Sequence, residues 1–219
     1  MTRNKVTRKK NNTSSKTKIV IKPKGTKMKN TTGSYKNIAY DSLEELAFLQ
    51  WASELQKAGY IHSIQRSPSF LLSDSLSKDY VIQKLTSSKP AIQNLLQGHS
   101  YTPEFYIIWN KIAKDKFVWT MDDTCKFEKL FVGDEMANGT YQTYIEIKPI
   151  WDQNNMERLF KLNQKWMWQK HSIFVNLIKC PELFSESFTP NEYRTTKTGR
   201  TRTIKWEIKT LSQFINIKK

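Results

Sequence analysis

Tyr144-Ile145-Glu146-Ile147-Lys148-Pro149 is a short apolar run carrying one carboxylate and one ammonium two residues apart. Side chains alternate along a β-strand, so Tyr144, Glu146 and Lys148 share one face while Ile145 and Ile147 pack the other way. Charge at half-buried positions is costly unless it is paired or bound to metal. The stretch therefore reads either as a functional pair or as a solvated strand face with a surface ion pair. Three residues are a weak motif alone, and the flanking segments carry the decision.

Outward from this strand the pattern is regular. Asn138-Gly139 is a turn signal leading into it, and residues 154–170 follow it as a helix, with Met156, Leu159, Phe160, Asn163, Met167 and Lys170 near a 3.6-residue period. Ile173-Phe174-Val175-Asn176-Leu177-Ile178 then reads as a buried strand. Upstream, Tyr101-Thr102-Pro103-Glu104-Phe105-Tyr106-Ile107-Ile108-Trp109 has strand character, with Pro103 restricted to a strand start or a position without a ladder donor. Tyr60 to Arg66 and then Ser69-Phe70-Leu71-Leu72 read as a strand interrupted near Pro68. Before it, Leu43, Leu46, Ala47, Gln50, Trp51, Leu55 and Ala58 form a helical stripe, capped by Asp41 or Ser42 and stopped by Gly59. Glu44 and Glu45 fill its first turn, where carboxylates complement the helix dipole. The recovered order is helix, strand, strand, strand, helix, strand. Two stretches fall outside it: a polar insertion at about 73–98, where 78–96 is expected as helical turns broken at Pro90, and a mixed one at about 110–140, with a strand at 116–120.

Both chain ends are basic. Residues 1–39 hold twelve Lys or Arg and no acid among Asn, Thr, Ser and Gly. Such a segment cannot bury enough apolar surface to fold alone. It is expected as a flexible basic arm that neutralises phosphates, with a solubility tail and a transit peptide as the alternatives. Past Pro181 the chain is again basic and Thr-rich, and Thr198-Gly199-Arg200 is expected to turn a hairpin that is either a second phosphate-contacting surface or a solvated ribbon.

Composition bounds the partners. The 219 residues carry a net charge of +16, from 36 Lys and Arg against 20 Asp and Glu. That surplus points to a polyanion, with nucleic acid ahead of a membrane, because no stretch reaches the roughly eighteen apolar residues of a span. Cys125, Cys180 and three scattered histidines match neither a zinc module nor a disulfide framework, which suits a reducing, cytoplasmic compartment.

Ser42-Leu43-Glu44-Glu45 on a helix, Tyr101-Thr102-Pro103-Glu104-Phe105 on a strand and Glu146-Ile147-Lys148 on the next strand resemble the active-site motifs of the PD-(D/E)XK nuclease superfamily. Within it the pattern is similar to phage junction-resolving enzymes of the endonuclease I type. Gly98-His99-Ser100-Tyr101-Thr102-Pro103 and Asn163-Gln164-Lys165-Trp166 also resemble small nucleases of crAss-like bacteriophages. The resemblance covers roughly residues 38–180.

That resemblance implies a restriction-endonuclease-like αβββαβ core with a mixed sheet. The domains would be a basic arm at 1–37, a core at 38–180 and a basic hairpin extension at 181–219. It implies a metal-dependent DNA endonuclease with Glu45, Glu104 and Glu146 on Mg²⁺ or Mn²⁺ and Lys148 beside the attacking water. The substrate would be DNA, branched DNA included, cut by a homodimer in the cytoplasm, the host's for a phage-encoded chain. Hard divalent cations take carboxylate oxygens, which is why the acids come from separate elements. Glu44 stands second to Glu45 as the helix acid, and Gln65 could bond into the site.

Two features depart from the family pattern. Glu104 stands where the family usually has Asp, and about forty residues separate it from Glu146. The intervening insertion is expected to loop away from the sheet, and its Asp122 and Asp123 are alternative acids. The other reading is a nuclease-fold protein without the chemistry, acting in nucleic-acid binding or phage assembly.

Overall fold

The computed structural model describes residues 31–121, 123, 130–151, 155–196 and 198–217. In chain order its elements are β1 (Gly33–Tyr35), β2 (Ile38–Tyr40), α1 (Leu43–Lys57), β3 (Ile61–Arg66), β4 (Phe70–Ser73), β5 (Leu76–Gln83), β6 (Ser88–Leu96), β7 (His99–Tyr101), β8 (Phe105–Trp109), β9 (Val118–Trp119), β10 (Phe131–Val132), β11 (Asp134–Glu135), β12 (Tyr141–Ile147), α2 (Met156–His171), β13 (Val175–Ile178), α3 (Cys180–Glu186) and α4 (Leu211–Ile217). The result is a mixed α/β fold with one central sheet and several two-stranded ones.

β12 is the centre of the sheet. It pairs antiparallel with β8, Ile145 opposite Phe105 and Tyr144 opposite Tyr106. β3 pairs antiparallel with the far edge of β8, Arg66 opposite Phe105. β13 returns parallel beside β12, Glu146 opposite Leu177, and α2 supplies the long crossover that a parallel pair needs. The short β11 pairs with the start of β12.

The alternation along β12 divides the interior in two. Ile145 and Ile147 join Phe105, Ile107 and Trp109 in the cluster covered by α1, with Phe48, Trp51 and Leu55. Tyr144 joins Leu72, Tyr101, Phe160, Met167 and Val175 in a smaller cluster under α2. Trp51 is the hub of the larger one. It has no exposed surface, stacks on Phe188 at 5.5 Å between ring centroids, and donates its indole N–H to Ser187 Oγ at 3.1 Å.

Helix α1 begins and ends where local chemistry says it should. Ser42 Oγ accepts the Glu45 N–H at 3.1 Å, satisfying one of the orphan donors of the first turn. Gly59 then adopts φ +81, a left-handed turn that a Cβ would strain.

Three sequence expectations are corrected and a fourth is met. Residues 78–96 contain no helical turns: β5 and β6 form a long antiparallel ribbon, with Pro90 opposite Val81. The strand expected over 101–109 is two strands, β7 and β8, because Pro103 interrupts the ladder and β7 pairs with β4. The described residues of the 110–140 segment include core positions instead of looping away together: Phe117 and Phe131 have no exposed surface and pack around Trp51 and Trp109. The hairpin expected around Gly199 is present in short form: Thr195 bridges Thr201 antiparallel, the Thr196 N–H donates to the Arg200 carbonyl at 2.8 Å, and the Arg202 N–H donates to the Arg194 carbonyl at 2.8 Å.

The basic ends also contribute to the fold. Residues 1–30 lie outside the described residues, but β1 and β2 pair as a hairpin that carries Tyr35, Ile38 and Tyr40 onto the main core, across the boundary expected at 37/38. Phe184, Phe188 and Phe214, from the segment expected as an extension, are in the same core. Among the described residues no helix is long and apolar enough to cross a membrane.

Candidate functional site

Each acid named by the sequence is held by a partner of its own. Glu45 is 4% exposed at the start of α1, and its carboxylate turns back on the cap: Oε1 accepts from Ser42 Oγ at 3.3 Å and Oε2 from the Asp41 N–H at 3.1 Å. This is a variant of the Ser-x-x-Glu capping box, in which the carboxylate reaches the backbone N–H of the residue before the cap instead of the cap's own. Oε2 also receives the Arg66 guanidinium at 2.7 Å, and the same Nη2 reaches Asp41 Oδ2 at 3.1 Å. Arg66 lies over the Phe105 ring at 4.9 Å, on the α1 side of the sheet.

Glu146 belongs to the opposite face. It is 6% exposed, accepts the Tyr101 hydroxyl at Oε2 at 2.8 Å, and pairs through Oε1 with Lys148 Nζ at 2.5 Å. Burial and the Glu146 charge both push the Tyr101 hydroxyl well above its ordinary pKa, so it remains a donor. The Glu-x-Lys pair is thus a shielded ion pair at the end of β12, neither a solvated pair nor two free groups.

Glu104 precedes β8 and accepts the Ile147 N–H at Oε2 at 2.7 Å. Burial is the main force on its carboxyl, followed by the charges of Glu146 and Glu45, and together they raise its pKa to about 8. With no cation beside it, the neutral acid predominates near neutral pH.

The expected metal centre is therefore corrected. Among the described residues no group of three or more His, Cys, Asp or Glu could hold a metal ion. Glu45 is held by Arg66 and the helix cap, Glu146 by Tyr101 and Lys148, and Glu104, whose carboxyl feels both charges, is drawn onto the Ile147 N–H. The set Glu45, Glu104, Glu146 does not fit Mg²⁺ or Mn²⁺, and the metal-dependent endonuclease activity and the role of Lys148 beside a metal-bound water fall with it.

Asp122 lies outside the described residues, and Asp123 accepts from the Thr120 N–H at 2.7 Å and hydroxyl at 2.9 Å within its own turn. Glu44 offers its backbone carbonyl to the Cys180 thiol at 3.2 Å. Gln65 is exposed on β3, an ordinary strand polar group.

Sequence reasoning missed Arg66 as the partner of Glu45 and Tyr101 as the partner of Glu146. Tyr101 stood inside a quoted motif, but Arg66 carried no local signal, since its pairing spans 21 residues of chain and a strand register. Two other quoted segments do meet: His99 Nε2 lies 3.0 Å from Asn163 Oδ1, and its ring stands edge-on to Trp166 at 5.4 Å.

The surface around α2 has a different character. Arg158, Lys161, Lys165, Trp166, Trp168 and Lys170 are all exposed, while Phe160, Asn163 and Met167 face inward. Its one acid, Glu157, is held by Lys161 at 3.0 Å and Lys179 at 3.2 Å. Cations interleaved with exposed indoles are the side chains that contact phosphates and stack on bases.

The chain is a mixed α/β protein with a closed carboxylate cluster and a basic, indole-bearing helix. No family model, no curated protein and no solved structure matches it.

Proposed function

We propose that this chain is a DNA-binding protein on a nuclease-like αβββαβ core, with its carboxylates used for structure instead of phosphodiester chemistry. The observation that carries the reading is the outer face of α2, where Arg158, Lys165 and Lys170 stand with Trp166 and Trp168 on a chain of net charge +16. Phosphate neutralisation by such groups releases counterions and gives affinity with little base readout. Kinship to the nuclease core is supported by the order α1, β3, β8, β12, α2, β13 and by the mixed sheet. The buried Cys180 thiol, its pKa pushed up by desolvation, fits a cytoplasmic setting where thiols stay reduced.

The test is fluorescence anisotropy with a 30-base-pair duplex across a salt series, beside a plasmid-nicking assay with Mg²⁺ and Mn²⁺. Salt-dependent binding without scission is expected, with Arg158→Glu/Lys165→Glu weakening binding at least about tenfold. Wild-type affinity in that double variant, or scission that Glu146→Gln abolishes, would overturn the reading.

A further inference from the structure

The β5–β6 ribbon is the largest feature that the carboxylate cluster and α2 leave unused. All eight residues of β5 are exposed, as are eight of the nine in β6, with Ala91 the exception. The exposed side chains include Leu76, Tyr80, Val81, Ile82, Ile92 and, at the tip, Leu85. Eight strand residues reach about 26 Å, far enough to cross a nucleic-acid groove. Apolar surface of this extent on a projecting element marks an interaction site.

The register sorts the ribbon into two unlike faces. Tyr80 is opposite Ala91, Ile82 opposite Lys89 and Lys78 opposite Gln93, so Lys78, Tyr80, Ile82 and Lys89 share one face with no acid on it. The ribbon's one acid, Asp79, stands opposite Ile92 on the other face, with Val81 and Pro90. The Lys84 N–H to Ser87 carbonyl bond, 2.8 Å, closes the turn that presents Lys84 and Leu85 at the tip.

We propose that this ribbon is a groove-entering arm for duplex DNA, contacting phosphates with Lys78, Lys84 and Lys89 and the groove wall with Tyr80, Ile82 and Leu85. The proposal rests on the DNA-binding reading and names a second contacting element for it. A two-stranded ribbon fits the roughly 12 Å width of a major groove. Charge segregation selects a polyanion as the occupant, and Pro90 removes a main-chain donor from β6, which disfavours strand addition by a protein partner. The ribbon also springs from beside the basic helix: Lys170 lies 3.9 Å from Asp74 at its base, and His171 Nε2 3.1 Å from the Leu71 carbonyl. One duplex could therefore touch both.

Ser73 is opposite His99 in the β4–β7 pair, so the ribbon can be replaced by a short turn at its base. The experiment compares the full chain with three variants: residues 75–97 replaced by Asn-Gly, Lys78→Gln/Lys89→Gln, and the opposite-face control Val81→Thr/Ile92→Thr. The 30-base-pair duplex is titrated at several salt concentrations, with masses by light scattering. Loss of three lysines should lower the salt slope by about 2 to 3, and loss of two by about 2, while the control stays unchanged. The lysine variant keeps the ribbon and so reads out even if the replacement fails to fold. Wild-type slopes in both test variants overturn the arm and leave the DNA-binding reading standing. A full chain that binds no duplex overturns both. A replacement that binds DNA normally but loses a dimeric mass assigns the ribbon to a second copy instead, which also overturns it.

Discussion

Arg66 Nη2 lies 2.7 Å from Glu45 Oε2, and this contact turns a helix acid into part of a helix cap. The carboxylate also accepts from the Asp41 N–H and from Ser42, so its lone pairs are taken by groups from both ends of the β2–α1 junction and from β3. Glu45 is 4% exposed, and an unpaired charge there would carry a desolvation cost that the guanidinium offsets.

Glu45→Gln should therefore destabilise the chain by about 1 to 3 kcal/mol, and Ser42→Ala by about 1 kcal/mol through loss of the cap. The two residues share the capping box, so a double-mutant cycle with urea denaturation should show the effects to be non-additive. A Glu45→Gln protein as stable as the parent would show that the carboxylate is structurally idle.

Lys148→Met should cost about 3 kcal/mol, because it leaves the buried Glu146 carboxylate with Tyr101 alone. Tyr101→Phe removes the other partner and should cost about 1 to 2 kcal/mol. The combination Glu146→Gln/Lys148→Met should recover much of the loss. Equal melting temperatures for the single and double variants would contradict a coupled pair.

Stability should fall as pH rises from about 4.5 to about 8, the span over which folded Glu104 holds a proton that the unfolded chain has released. The folded pKa is raised, so the contribution is present below the unfolded pKa and is lost as the folded group ionises. The slope from this one group is at most about 1.4 kcal/mol per pH unit. Glu104→Gln keeps an oxygen for the Ile147 N–H and should flatten that limb while raising stability at pH 8. Parallel profiles for the two proteins, measured by urea midpoints, would refute the assignment.

Phe188→Ala should cost about 3 to 5 kcal/mol, since the ring has no exposed surface and stacks on Trp51. A chain ending at residue 180 should accordingly fail to give a cooperative melt. A sharp thermal transition in that truncation would mean that the 38–180 segment is a domain by itself.

Deleting residues 1–30 removes eleven Lys or Arg and no acid. DNA affinity at low salt and the salt slope should both decrease, while the thermal midpoint of the remaining chain stays put. An unchanged slope would leave the arm without a role in binding.

The sequence by itself determined what depends on neighbours along the chain. The cap at Ser42, the stop at Gly59, the strand that carries Glu146, the turn at Gly139 and the order of the main helices and strands follow from periodicity and backbone chemistry. Only the tertiary structure decided what each acid does. Ser42-x-x-Glu45 is the same string for a catalytic helix and for a capping box, and the choice between them was made by Arg66 arriving from β3. Tyr101 reaches Glu146 from 45 residues away, and Phe117 and Phe131 enter the main core from a stretch that reads as an insertion. Pairing across a sheet depends on register and chain path, which no local pattern encodes, and burial then sets whether a carboxylate is charged, paired or neutral.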